Sequence, residues 1–258
     1  MRGIWSWLLI VGFAILGQTA AAQDQPAQKQ VVRIPDGGTS GRMESIFVPP
    51  KAGAPFSMVL VTEWSRPLNN GTGGTFTLTN ERRIQRDSKG RIYQERWLLV
   101  PKGSKIQSIM DIFQITDPEQ HTWYNCETRT KVCNLYQYSL TTQDNFQPAI
   151  GTSGPMPNGN GFRQHEDLGL SSSAGVETHG YRETSTINAG VLGNDQPMVS
   201  TREFWYSPQL AINLSSIVET PQSGKQVFTA KDLSTSEPDP SFFNVPEGYK
   251  VVDRLKEQ

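Results

Sequence analysis

The residues of this 258-residue chain best able to hold a metal or act as a base are His121, His165 and His179, with Cys126 and Cys133. A zinc site needs three or four His, Cys or carboxylate ligands converging at about 2 Å. Neither an HxxxH nor a CxxC spacing occurs, so no metal site is expected. His179, next to Gly180 at the start of a β-like run, reads as a turn or rim residue, and His165 as a solvated loop residue. A serine nucleophile of the elbow type requires Gly-x-Ser-x-Gly at a strand-to-helix turn. Gly151-Thr152-Ser153-Gly154 and Gly169-Leu170-Ser171 approach that pattern without completing it, and Gly224-Lys225 lacks the upstream glycine of a phosphate-binding loop. Paired carboxylates for hydrolysis leave no local trace. Glu63, Glu183 and Glu203 are the ones to follow, although a solvated face or an ion pair with Arg182 or Arg202 explains each more simply. No cofactor is implied.

Cys126 and Cys133 enclose six residues between two aromatic runs, Trp123-Tyr124 and Leu135 to Tyr138. In a hairpin this spacing puts the two Cα atoms opposite each other, within reach of a disulfide. Such a bond needs an oxidising compartment. A redox-active pair, the alternative, usually takes a CxxC spacing beside a helix.

The N-terminus supplies that compartment. Arg2 precedes an apolar stretch from Ile4 to Gly17, then Gln18-Thr19-Ala20-Ala21-Ala22, the arrangement of a cleavable signal peptide over residues 1–22. A membrane helix needs about 20 apolar residues, and nothing after Gly17 comes near it. With no cysteine directly after the expected cleavage site, where Gln23 stands, a lipid anchor there is not expected, nor is an integral membrane segment after processing. The formal net charge is −1. Arg82, Arg83, Arg86, Lys89, Arg91 and Arg96 alternate with Glu81, Asp87 and Glu95, which reads as a solvated hairpin face, not a nucleic-acid surface.

Those residues must be positioned by strands. Residues 23–42 are polar and glycine-rich and read as a flexible arm. From residue 43 to 258 one mainly β domain is expected. Phe56 to Trp64 reads as a strand with apolar residues on both faces. Thr75 to Arg86 and Arg91 to Val100 flank Asp87-Ser-Lys-Gly90, a strong hairpin signal, with Arg82 near Glu95 or Glu81 near Arg96 as cross-strand pairs. Residues 141–166, rich in Pro, Gly and Asn, read as a flexible connector or a lid. β character resumes at Val176, Met198, Gln209 and Gln226, giving roughly ten strands in all. Asp239 caps a helical turn begun at Pro240, whose Phe242 and Phe243 cover apolar surface, and a last strand follows at Tyr249 to Val252. Trp64, Trp97, Trp123, Trp205, Phe242 and Phe243 are the candidate lining of a ligand hollow, with ordinary core packing as the plainer alternative.

Several short runs are shared with a family of uncharacterised exported bacterial proteins, which the chain resembles over most of residues 43–252. They are Arg86 to Arg91 with Glu95, Ile115 to Pro118, Asp167-Leu168-Gly169, Gly180 to Thr184, Gly193 to Pro197, Glu203 to Ser207 and Glu237 to Tyr249. No activity comes with that resemblance, so these are expected to be turn, cap and packing positions. The Phe and Pro-x-Gly-Tyr ending is similar to that of the lipoprotein-carrier (LolA-like) half-barrels, in which a curved antiparallel sheet wraps an apolar hollow. The expectation is therefore an antiparallel curved sheet, open or half-barrel, with little helix beyond the signal peptide, in the periplasm or secreted. Its first functional reading is a non-catalytic carrier-like protein for an apolar or lipid-like ligand. The second is an envelope structural or protein-interaction module without a small ligand, and the third a carboxylate-dependent hydrolase.

Overall fold

β-Branched and aromatic residues at alternate positions favour extended backbone, and one strand shows the effect throughout the fold. In β1 (Phe56–Pro67) the side chains of Phe56, Met58, Leu60, Thr62 and Trp64 are buried while the intervening ones are half-buried or exposed. The strand expected to be apolar on both faces thus buries one. The computed structural model describes residues 46–68, 71, 73–102, 105–139 and 151–256. The expected signal peptide and arm lie outside them, as do residues 141–150 of the connector.

Among the described residues, β1 is followed by β2 (Thr75–Arg86), β3 (Ile92–Lys102), β4 (Lys105–Asp117), β5 (Thr122–Glu127) and β6 (Val132–Gln137). A second run comprises β7 (Gly154–Pro155), β8 (Gly161–Ser173), β9 (Val176–Ile187), β10 (Met198–Ser207), β11 (Ile212–Thr220) and β12 (Gly224–Ser234). β13 (Lys250–Asp253) ends the chain, and short 3₁₀ turns span Pro157–Gly159 and Pro240–Phe243. All form one curved, open sheet in the order β13-β6-β5-β4-β3-β2-β1-β12-β11-β10-β9-β8-β7. Two meanders are therefore joined side by side by the antiparallel β1–β12 pair, and only β13, beside β6, is parallel. These strands fall within one compact unit, Val31–Gln258; the other unit, Met1–Gln30, lies outside the described residues.

Strand structure reaches into the expected connector. Gly154–Pro155 pair with β8, and β8 already begins at Gly161, pairing with β9 from Gly161↔Ile187 onward. The polar composition hid this because these are edge strands, whose order comes from backbone pairing more than from buried side chains. His165 accordingly sits within β8, its backbone N–H bonded to Ser153 Oγ at 2.8 Å, and not in a solvated loop.

Each face of the sheet carries its own core. On the first face, Phe56, Met58 and Leu60 pack with Ile84, Ile92, Leu214 and Phe228, and with Ile46 and Val48 from the leading segment. On the second face, Tyr93, Phe113, Ile115 and the cysteines pack under Phe243 and Phe242 of the 3₁₀ turn. Asp239 caps that turn, its carboxylate accepting the Ser241 N–H at 2.8 Å, and this bond holds its pKa below the usual aspartate value. Cys126 and Cys133 are cross-strand partners joined by a disulfide, with Cα atoms 3.9 Å apart.

The charged hairpin departs most from expectation. Arg86 is fully buried, Asp87 is 2% exposed, and Arg82 and Glu95 are each 6% exposed, so the face is solvated only in part, through Glu81, Arg83 and Lys89. Arg86 donates to the carbonyls of Pro49, Ala54 and Leu210 at 2.7–2.9 Å and lies over the Phe56 ring. Burial lowers its pKa to about 10, still far above neutrality, so the guanidinium stays charged. Asp87 accepts from the N–H groups of Lys89 and Arg91 and from the Arg91 guanidinium, closing the turn. Gly90 supplies φ +85 where a side chain would press on the backbone of Pro50 to Ala52. The Ser88 N–H and hydroxyl meet Glu237, tying together two of the shared runs. These are the cap, turn and packing roles expected of them.

Candidate functional site

β2 and β3 pair only over Ile84↔Gln94, Gln85↔Tyr93 and Arg86↔Ile92, and then part. The Asn80 amide reaches the Trp97 carbonyl at 3.1 Å across the gap. A cleft of about 430 Å3 opens there, lined by Val59, Thr79, Glu81, Arg83, Glu95 and Trp97 among others. Glu95 is one of its lining residues. The carboxylate accepts the Arg83 N–H at 3.1 Å, the Tyr93 hydroxyl at 3.1 Å and the Trp97 indole N–H at 3.0 Å, with the Arg83 guanidinium 3.5 Å away. The expected partner was Arg82. The observed register instead places Arg83 toward Glu95, on the second face, while Arg82 follows Leu60 onto the first. Burial, and then the adjoining Glu95 charge, raise the Tyr93 hydroxyl pKa well above its ordinary value, so Tyr93 remains a donor.

The same device recurs at β9–β10. Arg182 and Glu203 are cross-strand partners 2.7 Å apart, Trp205 donates its indole N–H to Glu203 at 3.1 Å, and Arg182 also holds Glu166 at 3.0 Å. Gly180 permits it, because a Cβ there would stand 2.6 Å from the Trp205 ring. On the opposite face His179, inside β9 and not at a turn, has Nε2 2.6 Å from Asp167 and stacks on Tyr181 with centroids 4.5 Å apart. The Gly169 N–H, and then His179, hold the Asp167 pKa below the usual aspartate value.

The candidate aromatic residues divide between the faces. Trp64 is buried on the first, its indole N–H on the Ser223 carbonyl at 2.5 Å and its ring edge-on to Phe76. Trp123 is buried there too, stacked on Tyr136. Trp97, Trp205, Phe242 and Phe243 belong to the second face. Phe242 and Phe243 sit in the core over Tyr93, while Trp97 lines the cleft. The three carboxylates also stay apart: Glu183 shares its face with His165 at 3.7 Å and Glu203 lies on the other. Glu63 shares the second face with Glu203 but is three strands away, about 14 Å. Among the described residues no group of three or more His, Cys, Asp or Glu is placed to hold a metal ion.

Sequence reasoning missed Thr79, Glu81, Arg83 and Glu95 as cleft residues. The one signal for them was the alternation of charges along β2 and β3, which does not say where the strands separate.

No family model matches the sequence, and neither does any curated protein. Solved structures do resemble the fold. An uncharacterised conserved protein from Thermus thermophilus is 8% identical with a TM-score of 0.40, over 78% of this chain and 91% of that one. LprF from Mycobacterium bovis is 11% identical with a TM-score of 0.30, over 73% and 90%. The Mycobacterium tuberculosis lipoprotein LppX is 11% identical with a TM-score of 0.23, over 72% and 90%.

Proposed function

We propose that this chain is an exported, non-catalytic binding protein that takes an apolar, lipid-like ligand at the cleft between β2 and β3. The observation that carries the reading is the parting of the two strands beside Trp97. It makes a concavity within the range of roughly 300–1,000 Å3 typical of small-molecule sites. Val59 and the indole supply apolar wall, and Arg83 and Glu95 supply oriented polar groups at one side, a pattern suited to an amphiphile. The signal-like N-terminus and the disulfide support a location outside the cytoplasm.

The test is native mass spectrometry of protein recovered after export, together with titration by a fluorescent long-chain fatty acid. A bound lipid-like mass and saturable probe binding are expected, with Trp97→Asp weakening the probe at least ten-fold. Protein that comes off bare and takes no probe would count against the reading. A docking module without a small ligand is the second reading, favoured by exposed apolar residues on β3 and β4.

A further inference from the structure

β3 and β4 run on together after both neighbours have stopped. β2 pairs with β3 no further than Gln94, and β5 pairs with β4 only from Ile112. Among the described residues, the two strands between Trp97 and Met110 therefore form a ribbon paired with itself alone, in the register Trp97↔Met110, Leu98↔Ile109, Leu99↔Ser108, Val100↔Gln107, Pro101↔Ile106 and Lys102↔Lys105. A two-stranded ribbon is marginal in water. This one is also apolar on the outside: the cross-strand pair Leu98 and Ile109 is 42% and 44% exposed, although ribbon side chains standing in water are ordinarily polar. Residues 96–110 carry three basic side chains, Arg96, Lys102 and Lys105, and no acidic one, in a chain whose net charge is −1. The register sets the lysines opposite each other at the far end, two residues beyond Val100 and Gln107 and four beyond the exposed pair.

We propose that this hairpin docks the protein onto an anionic lipid surface, with Leu98 and Ile109 entering the interface and the lysine end meeting the headgroups. The chemistry is that of interfacial segments generally, apolar contact combined with cations attracted to acidic lipids. Charge selects this occupant over a second copy of the chain, since two such ribbons would bring like charges together. The inference stands whether or not the cleft between β2 and β3 takes a ligand.

Flotation with vesicles tests it, using exported protein and either phosphatidylcholine alone or phosphatidylcholine with about a third phosphatidylglycerol, a composition that gives the surface its negative potential. The protein is expected to float with the anionic vesicles, to stay behind with the neutral ones, and to be released as salt rises. Lys102→Glu with Lys105→Glu should lower binding roughly ten-fold or more. Leu98→Asp with Ile109→Asp should abolish it, while Val199→Asp, an exposed apolar position on β10, should leave it intact. All variants share the same N-terminus, so any contribution from residues 1–22 is common to them, and thermal melts check that each is folded. Failure of the wild type to float would overturn the proposal, as would folded hairpin variants that bind equally well. A concentration-dependent dimer lost in the Leu98 and Ile109 variant would overturn it too, by showing that a second copy covers the pair.

Discussion

The guanidinium of Arg86 joins three parts of the chain that are distant in sequence. Its acceptors are Pro49 and Ala54 in the leading segment and Leu210 in the turn between β10 and β11. The Pro49 carbonyl also accepts the Lys51 N–H at 2.9 Å, so the guanidinium matters most to the Ala54 and Leu210 carbonyls, and leaving buried polar groups unpaired costs about 1–3 kcal/mol apiece. Arg86→Met should therefore destabilise the protein by about 3–5 kcal/mol, the range for breaking a buried charged network, measured as the shift of the urea midpoint. Arg86→Lys keeps the charge but offers one nitrogen for three separate carbonyls, and should recover less than half of the loss. A midpoint unchanged in Arg86→Met would show that water or a backbone shift satisfies those carbonyls. The sequence showed Arg86 only as one of several basic residues in a charged hairpin; the carbonyls that receive it lie 32, 37 and 124 residues away.

At the scale of elements, the second-face core depends on a short hairpin and a single 3₁₀ turn. The Cys126–Cys133 disulfide crosses β5 and β6 beneath Phe243, and both sulfurs are buried. Closing so short a loop restricts the unfolded chain by about 2–3 kcal/mol. Cys126→Ser with Cys133→Ser should lose about that much, and reduction of the wild type in denaturant should bring its unfolding curve close to that of the double variant. Two curves that stay far apart under reducing conditions would mean that the serines add packing or polar costs of their own. This hairpin, the Asp87–Gly90 turn and the Asp239 cap were legible in the sequence because their signals are local: turn residues, spacing and period two. The parting of β2 from β3 was not, since nothing within either strand records where the other ceases to pair.

For the whole molecule, a sheet with a core on each face makes the two cores independent in contact but joined through one backbone. Leu60 belongs to the first core and Phe243 to the second, with no shared cluster. Truncating a buried leucine or phenylalanine to alanine costs about 2–5 kcal/mol. Losses at sites without common partners add to within about 0.5 kcal/mol. Leu60→Ala and Phe243→Ala should therefore sum in the double variant, measured by denaturant unfolding. A double variant much less destabilised than the sum would reveal coupling through the sheet.

The amino-acid order by itself determined the class of fold, the paired cysteines, the capped turn and most strand positions, because alternation, turn chemistry and short spacings act between near neighbours. Tertiary structure decided which charged residues are buried, that β1 and β12 unite two meanders, that the aromatic candidates separate onto two faces, and that a cleft opens at Glu95. Each of these follows from contacts between segments far apart in the chain, where burial and register are set by the partner strand and not by the residue's own surroundings in sequence.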